Sequence, residues 1–202
     1  MRASSIFLLL SNIATLVAAL LLHWSTGWML WAFFLQNVAI GGFACRRILA
    51  LDRFSAGGFQ FMHRPIGEDE HGKRLGALFF CIHYGLFHSA YLGYLVSTYH
   101  DGSLRDVLIV AACGASFLLA QRQTYTVQHA ADLRGRPSLG MLWMTPYLRT
   151  APVLVPIVIS MAADGEAGLW LMGVLKTGAD LALDHVDRRL AERQADRSQG
   201  SR

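Results

Sequence analysis

Six stretches of the chain are apolar for long enough to cross a bilayer, and most polar residues fall in the gaps between them. A helix rises about 1.5 Å per residue, so about 20 residues cover the roughly 30 Å of hydrocarbon. The stretches run over residues 5–24, 27–48, 75–98, 104–125, 139–163 and 167–187. Turn formers separate three of the pairs: Ser25-Thr26-Gly27, His100-Asp101-Gly102-Ser103, and Asp164-Gly165-Glu166 between two alanines. The other two connections are longer and charged. No internal repeat or separate soluble domain interrupts the pattern. It predicts an all-α fold, a polytopic transmembrane bundle of six spans over residues 1–190, with a polar tail at 191–202.

Basic residues then orient the bundle. Arg2 precedes the first span, and Arg46, Arg47, Arg53, Arg64, Lys73 and Arg74 lie between the second and third. Arg122, Arg134 and Arg136 close the fourth span, and Arg188, Arg189, Arg193, Arg197 and Arg202 follow the sixth. In a six-span arrangement all of these fall on one side, and only Arg105 falls on the other. The positive-inside rule therefore predicts cytoplasmic N and C termini and a multi-pass protein of the cell inner (plasma) membrane. Trp24, Trp28, Trp31, Tyr99 and Trp170 gather at the opposite helix ends, as interfacial aromatics do. Residues 47–62 mix arginines with Ile48, Leu49, Leu51, Phe54, Phe59 and Phe61. They read equally as an amphipathic stretch on the inner surface or as a frayed helix end plus a loop.

Composition agrees. Hydrophobic residues make up 53% of the 202 and charged ones 16%, against about 25% in soluble domains. The formal charge of +4 sits at helix ends, where orientation needs it, so the expected partner is the lipid bilayer and not nucleic acid. Cys45, Cys81 and Cys113 lack CxxC spacing and read as small apolar residues of the spans. The first apolar run is longer than a signal-peptide core and has no small-x-small cleavage site after it, so it reads as a retained helix.

The exceptions to the apolar pattern carry the candidate chemistry, because ionisable groups within a span are costly and default to a functional role. Gln36 is ten residues before Arg46, His83 nine after Arg74, Asp180 eight before Arg188, and Arg149 thirteen after Arg136. Each therefore sits on the order of 12–20 Å from the inner surface. Asn37, Tyr84, Tyr147 and Lys176 are close by in sequence, so four helices bring polar groups to a common layer. Lys176, Asp180 and Asp184 follow one another at every fourth position and share a stripe. Asp180 can pair with Lys176 or with Arg149, and such a pair can serve either a site or only helix register.

Tyr84 and His88 share a face, whereas His83 and His88 are five residues apart and rotated by about 140°. A metal site on His83, His88 or His185 would need ligands from other helices, and within-helix spacing does not supply them. A metal ion or haem remains an option because neutral imidazole ligates both. The histidines also fit a bland role as hydrogen-bonded core residues. No HExxH, CxxCH, nucleotide-binding glycine loop or nucleophile elbow is present, so no enzyme class is indicated. Pro146, Pro152 and Pro156 each remove a backbone donor from the fifth span, which frees carbonyls and could line a polar cavity around Tyr147 and Arg149.

The same residues resemble an uncharacterised family of bacterial multi-pass membrane proteins, a domain of unknown function. The likeness covers most of the chain from the second span onward. It rests on Gln36-Asn37 with Gly41, His83-Tyr84-Gly85 with Phe87, Pro146-Tyr147 with Arg149, and Lys176-Thr177 with Asp180 and His185. Relatives look to have a glutamate at the place of Gln36 and a histidine where this chain has Val153 or Leu154. The resemblance thus implies the fold and marks the polar residues, weakens a complete metal site in this copy, and supplies no activity.

Three functions fit the sequence. The first is a binding or transport protein whose polar layer receives an ion, proton, or small polar or lipid-like ligand, with Arg149 countering an anionic group and Asp180, His83 and Gln36 completing the lining. The second is a membrane metalloenzyme or haem-binding redox protein using His83, His88 and His185. The third is a non-catalytic assembly partner, with a homo-oligomer or another membrane protein as its contact, whose buried charges only set helix register.

Overall fold

The computed structural model describes residues 26–61 and 63–160. It also describes positions 10, 12–15, 17, 19, 21 and 24 before them and 177–179, 181, 182, 185 and 189 after them; over 152–160 only the backbone is described. The sixth span, and with it Lys176, Asp180, Asp184 and Trp170, lies largely or wholly outside the described residues, as does much of the first.

Four helices dominate: α1 (Thr26–Leu49), α2 (Glu70–Thr98), α3 (Leu104–Arg134) and α4 (Leu139–Ser160). Among the described residues three helices are long and apolar enough to cross a membrane: Gly27–Leu49, Glu70–Thr98 and Leu104–Arg134. Helix α1 is central and packs against α2, α3 and α4. Their surfaces are inverted relative to a water-soluble bundle. Leu78, Ile82, Leu86 and Val96 of α2, and Val107, Leu108, Leu118 and Leu119 of α3, are exposed, while Asn12, Gln36, Asn37, His88, Gln121 and Arg149 are buried. Apolar residues outward and polar ones inward is the arrangement that hydrocarbon rewards.

Helix ends are set by local chemistry. Asp69 caps α2 by accepting from the Gly72 amide at 2.7 Å. Ser103 and Asp106 form a reciprocal capping box at the start of α3. The turn between them packs on the start of α1: Trp31 Nε1 donates to the Tyr99 carbonyl at 2.9 Å, and a Cβ at Gly102 would collide with the Trp28 ring. At the other end α3 continues nine residues beyond the expected Tyr125, and α2 begins five residues before Leu75.

Beyond Leu49 the connection from α1 to α2 is a loop, as one of the two readings has it, but a folded one. Residues 50–69 form a folded cap with a short antiparallel hairpin, β1 (Gln60–Phe61) on β2 (Arg64–Pro65). Gly57 and Gly58 take positive φ at the preceding turn, a conformation glycine adopts at little cost. The cap exists because its apolar residues have a partner: Leu51, Phe54 and Ile66 bury against Ile48, Ala77, Phe80, Leu139 and Trp143. Backbone bonds stitch it to α4, with Ser55 N–H on the Pro137 carbonyl and Leu139 N–H on the Ser55 carbonyl, both 2.9 Å. Glu68 accepts from the Ala56 amide at 2.9 Å and pairs with Arg136, while Lys73 Nζ donates to the Leu51 carbonyl at 2.9 Å.

Candidate functional site in the polar layer

The polar layer assembles along the seams of α1. Facing α2, α1 presents Leu30, Phe34, Asn37, Gly41 and Cys45, spaced three or four residues apart and so on one stripe. The opposing residues run antiparallel. Tyr91 Oη donates to the Leu30 carbonyl at 3.0 Å, the Phe34 ring lies 6.2 Å from His88, and Tyr84 Oη donates to the Asn37 carbonyl at 2.9 Å. Cys45 Sγ is 2.8 Å from Cys81 Sγ. Helix α1 needs glycine at 41 because a Cβ there would collide with the Tyr84 ring.

Within this seam His88 and Asn37 are buried. His88 Nδ1 lies 2.9 Å from the Tyr84 carbonyl, which can only accept, so Nδ1 carries the proton and Nε2 the lone pair. Among the described residues Nε2 has no hydrogen-bond partner, and neither does either amide atom of Asn37. The Tyr84 and His88 rings stack at 4.0 Å. Tyr84 Oη also lies 3.3 Å from Thr150 Oγ1, which ties the α1–α2 seam to α4. On another side of α1, Gln36 Nε2 donates to Asn12 Oδ1 at 3.0 Å.

Arg149 adjoins Thr150 and is only 2% exposed, the largest side chain so deeply buried among the described residues. It borders a cavity of about 20 Å³ between α1, α3 and α4, which Arg47, Gln121, Tyr125, Gln128 and Thr145 also line. That volume exceeds the roughly 10–15 Å³ a water-sized occupant needs. Arg47 at the rim is held by a bidentate pair with Asp132, one arm at 2.8 Å, with the side chains 15% and 5% exposed.

The remaining candidates sit elsewhere. His83 is exposed, with Nδ1 2.7 Å from Tyr147 Oη in an aromatic cluster that includes Phe79 and Trp143. His83 and His88 thus face different surroundings, as their spacing requires. His185 is exposed. Among the described residues no group of three or more His, Cys, Asp or Glu could hold a metal ion. Sequence reasoning overlooked Gln121, Gln128, Thr150 and the Arg47–Asp132 pair. The spacing of Gln121, Thr124 and Gln128 at i, i+3 and i+7 on α3 was the available signal.

The chain belongs to a family of unknown function, DUF6498, whose model matches residues 1–198. No curated protein and no solved structure matches it.

Proposed function

With that family as the premise, and no activity supplied by it, we propose that the chain is a six-span inner-membrane protein with cytoplasmic termini that binds or carries a small anion, or a small ligand with an anionic group. One observation carries the reading: a buried guanidinium, Arg149, borders a small, partly open cavity whose mixed lining includes the polar side chains of Gln121, Gln128 and Thr145. A guanidinium withdrawn from water interacts strongly with an anionic group, because little solvent competes there. Arg47, a further residue of the lining, pairs with Asp132. Asp180, Lys176 and Gln36 would complete the layer.

The test is titration of chloride, nitrate and acetate into the protein reconstituted in nanodiscs. Saturable binding of at least one of them, abolished in Arg149→Met although the variant inserts and stays monodisperse, is the expected result. A hydrogen bond to a charged ligand contributes about 1.5–3 kcal/mol, so Gln121→Leu should weaken binding by about tenfold or more. Equal binding by wild type and Arg149→Met would sink the proposal. Full cellular function after joint replacement of Arg149 and Asp180 by apolar residues would leave them as a register-setting pair only.

A second reading has one observation of its own. The His88 ring is anchored through Nδ1–H to a carbonyl and keeps a buried lone pair on Nε2, the arrangement that orients a metal-ligating imidazole. Its test is an absorption spectrum with elemental analysis of wild type and His88→Ala. A haem band or near-stoichiometric metal lost in the variant would promote it, and identical metal-free spectra would remove it.

A further inference from the structure

A second recess lies on the outside of the bundle, separate from the polar layer. It is a groove of about 620 Å³ between α1 and α3, lined by Leu35, Val38, Gly42 and Arg46 on one wall and Ala111, Gly114 and Leu118 on the other. Small residues shape the walls. Gly114 sits close against Leu35, where a Cβ would clash, whereas a Cβ at Gly42 would meet nothing within 4 Å. Apart from Arg46 the lining is apolar.

Three features say what fits it. The first is length: from Leu35 to Arg46 is eleven residues, about 16 Å along the helix, which is half of a roughly 30 Å hydrocarbon core and so one leaflet. The second is charge at one end only. The Arg46 guanidinium lies 5.1 Å from the centroid of the Tyr125 ring, and no ion pair joins it to a carboxylate among the described residues. The third is the side of the membrane. Arg46 belongs to the basic cluster with Arg47, Arg53, Arg64, Lys73 and Arg74, the side that faces anionic lipid in a cytoplasmic leaflet.

We propose that this groove is a binding site for one anionic phospholipid of the inner leaflet, an acyl chain lying between α1 and α3 along Gly42 and Gly114 and the phosphate on Arg46. The acyl chain fills the open space beside Gly42, and the stacked guanidinium meets the headgroup where the hydrocarbon ends. The groove adjoins the Arg149 cavity without being the same site: Phe43 borders both, and Tyr125, under the Arg46 guanidinium, lines the cavity.

The experiment is native mass spectrometry of the full chain released from vesicles of equal phosphatidylglycerol and phosphatidylcholine. One retained lipid is expected, with phosphatidylglycerol favoured about fivefold, the effect of one basic side chain at an anionic surface. Arg46→Gln should equalise the two lipids while one is still retained. Gly42→Leu places its Cβ in open space and should lower retention of both. A photoreactive side chain at the position of Val38 provides a readout that needs no stability comparison. A lipid adduct supports the proposal, whereas an adduct to a second copy or to another segment of the same chain overturns it. Equal retention of the two lipids by wild type, or unchanged retention in Gly42→Leu, also overturns it.

Discussion

At the scale of single residues, two close approaches fix where the polar layer stands. Tyr84 crosses the α1–α2 interface to the Asn37 carbonyl, and it can do so because residue 41 has no side chain. Gly41→Ala forces a methyl into the ring, and overpacking of that kind costs about 1–3 kcal/mol. Tyr84→Phe keeps the ring and removes only the hydroxyl, at a cost of about 1 kcal/mol. Unfolding in mixed detergent should therefore show a larger loss for Gly41→Ala than for Tyr84→Phe; the reverse order would place the ring elsewhere. Glu68 gives a pH-dependent counterpart outside the membrane. The Ala56 amide bond, and after it Arg136, hold its carboxyl below the usual carboxylate range. A depressed carboxyl contributes stability that is present above the unfolded value and is lost as pH falls through the lower folded value. Protection of the Ala56 amide against exchange should decline over that acid interval, and Glu68→Gln should abolish the pH-dependent part of the change.

Among elements, the antiparallel register of α1 and α2 can be tested through Cys45 and Cys81, whose sulfurs are 2.8 Å apart. Two equivalents of copper(II) phenanthroline, each taking one electron while the two thiol protons pass to solvent, should join them. Proteolysis within 52–69 would then leave α1 and α2 covalently linked until a reductant is added. A one-residue shift in register would turn one sulfur away and prevent the link. The sequence made α1 legible because an apolar run ending in Arg46-Arg47 leaves little choice of boundary. It did not reveal the extension of α3 to Arg134, since Gln128, His129 and Asp132 beyond the hydrocarbon are as compatible with a loop as with a helix. The cap at 50–69 was illegible for a different reason. Its hairpin holds through distant partners, Ser55 on Leu139 and Glu68 on Arg136, which no local pattern contains. The site was legible in part. Asn37, Tyr84, His88 and Arg149 are buried, but Thr150, which meets Tyr84, and Gln121, which lines the cavity beside Arg149, are ordinary polar residues until the helices are packed.

For the whole molecule, the described helices show an inverted surface, apolar outside and polar inside, and that pattern fits a lipid solvent without saying which way the bundle faces. Direction comes from charge. The turn at 100–103 carries only Arg105 nearby, whereas the cap at 50–69 and the end of α3 hold Arg53, Arg64, Lys73, Arg74, Arg134 and Arg136. Translocating the second set would cost far more than translocating the first, so the positive-inside rule predicts the cap on the cytoplasmic side. Single cysteines at Asp101 and at Asp52, in a background lacking Cys45, Cys81 and Cys113, convert this into a measurement. A maleimide that cannot cross membranes should label position 101 in intact spheroplasts and position 52 only after lysis. The same reagent at Asp164 reports the last turn, which six spans place on the side of Asp101. Labelling of 101 and 164 from opposite sides would remove a span between them. Labelling of 52 before lysis would invert the bundle and move the Arg46 groove to the outer leaflet, where its anionic partner would be scarce.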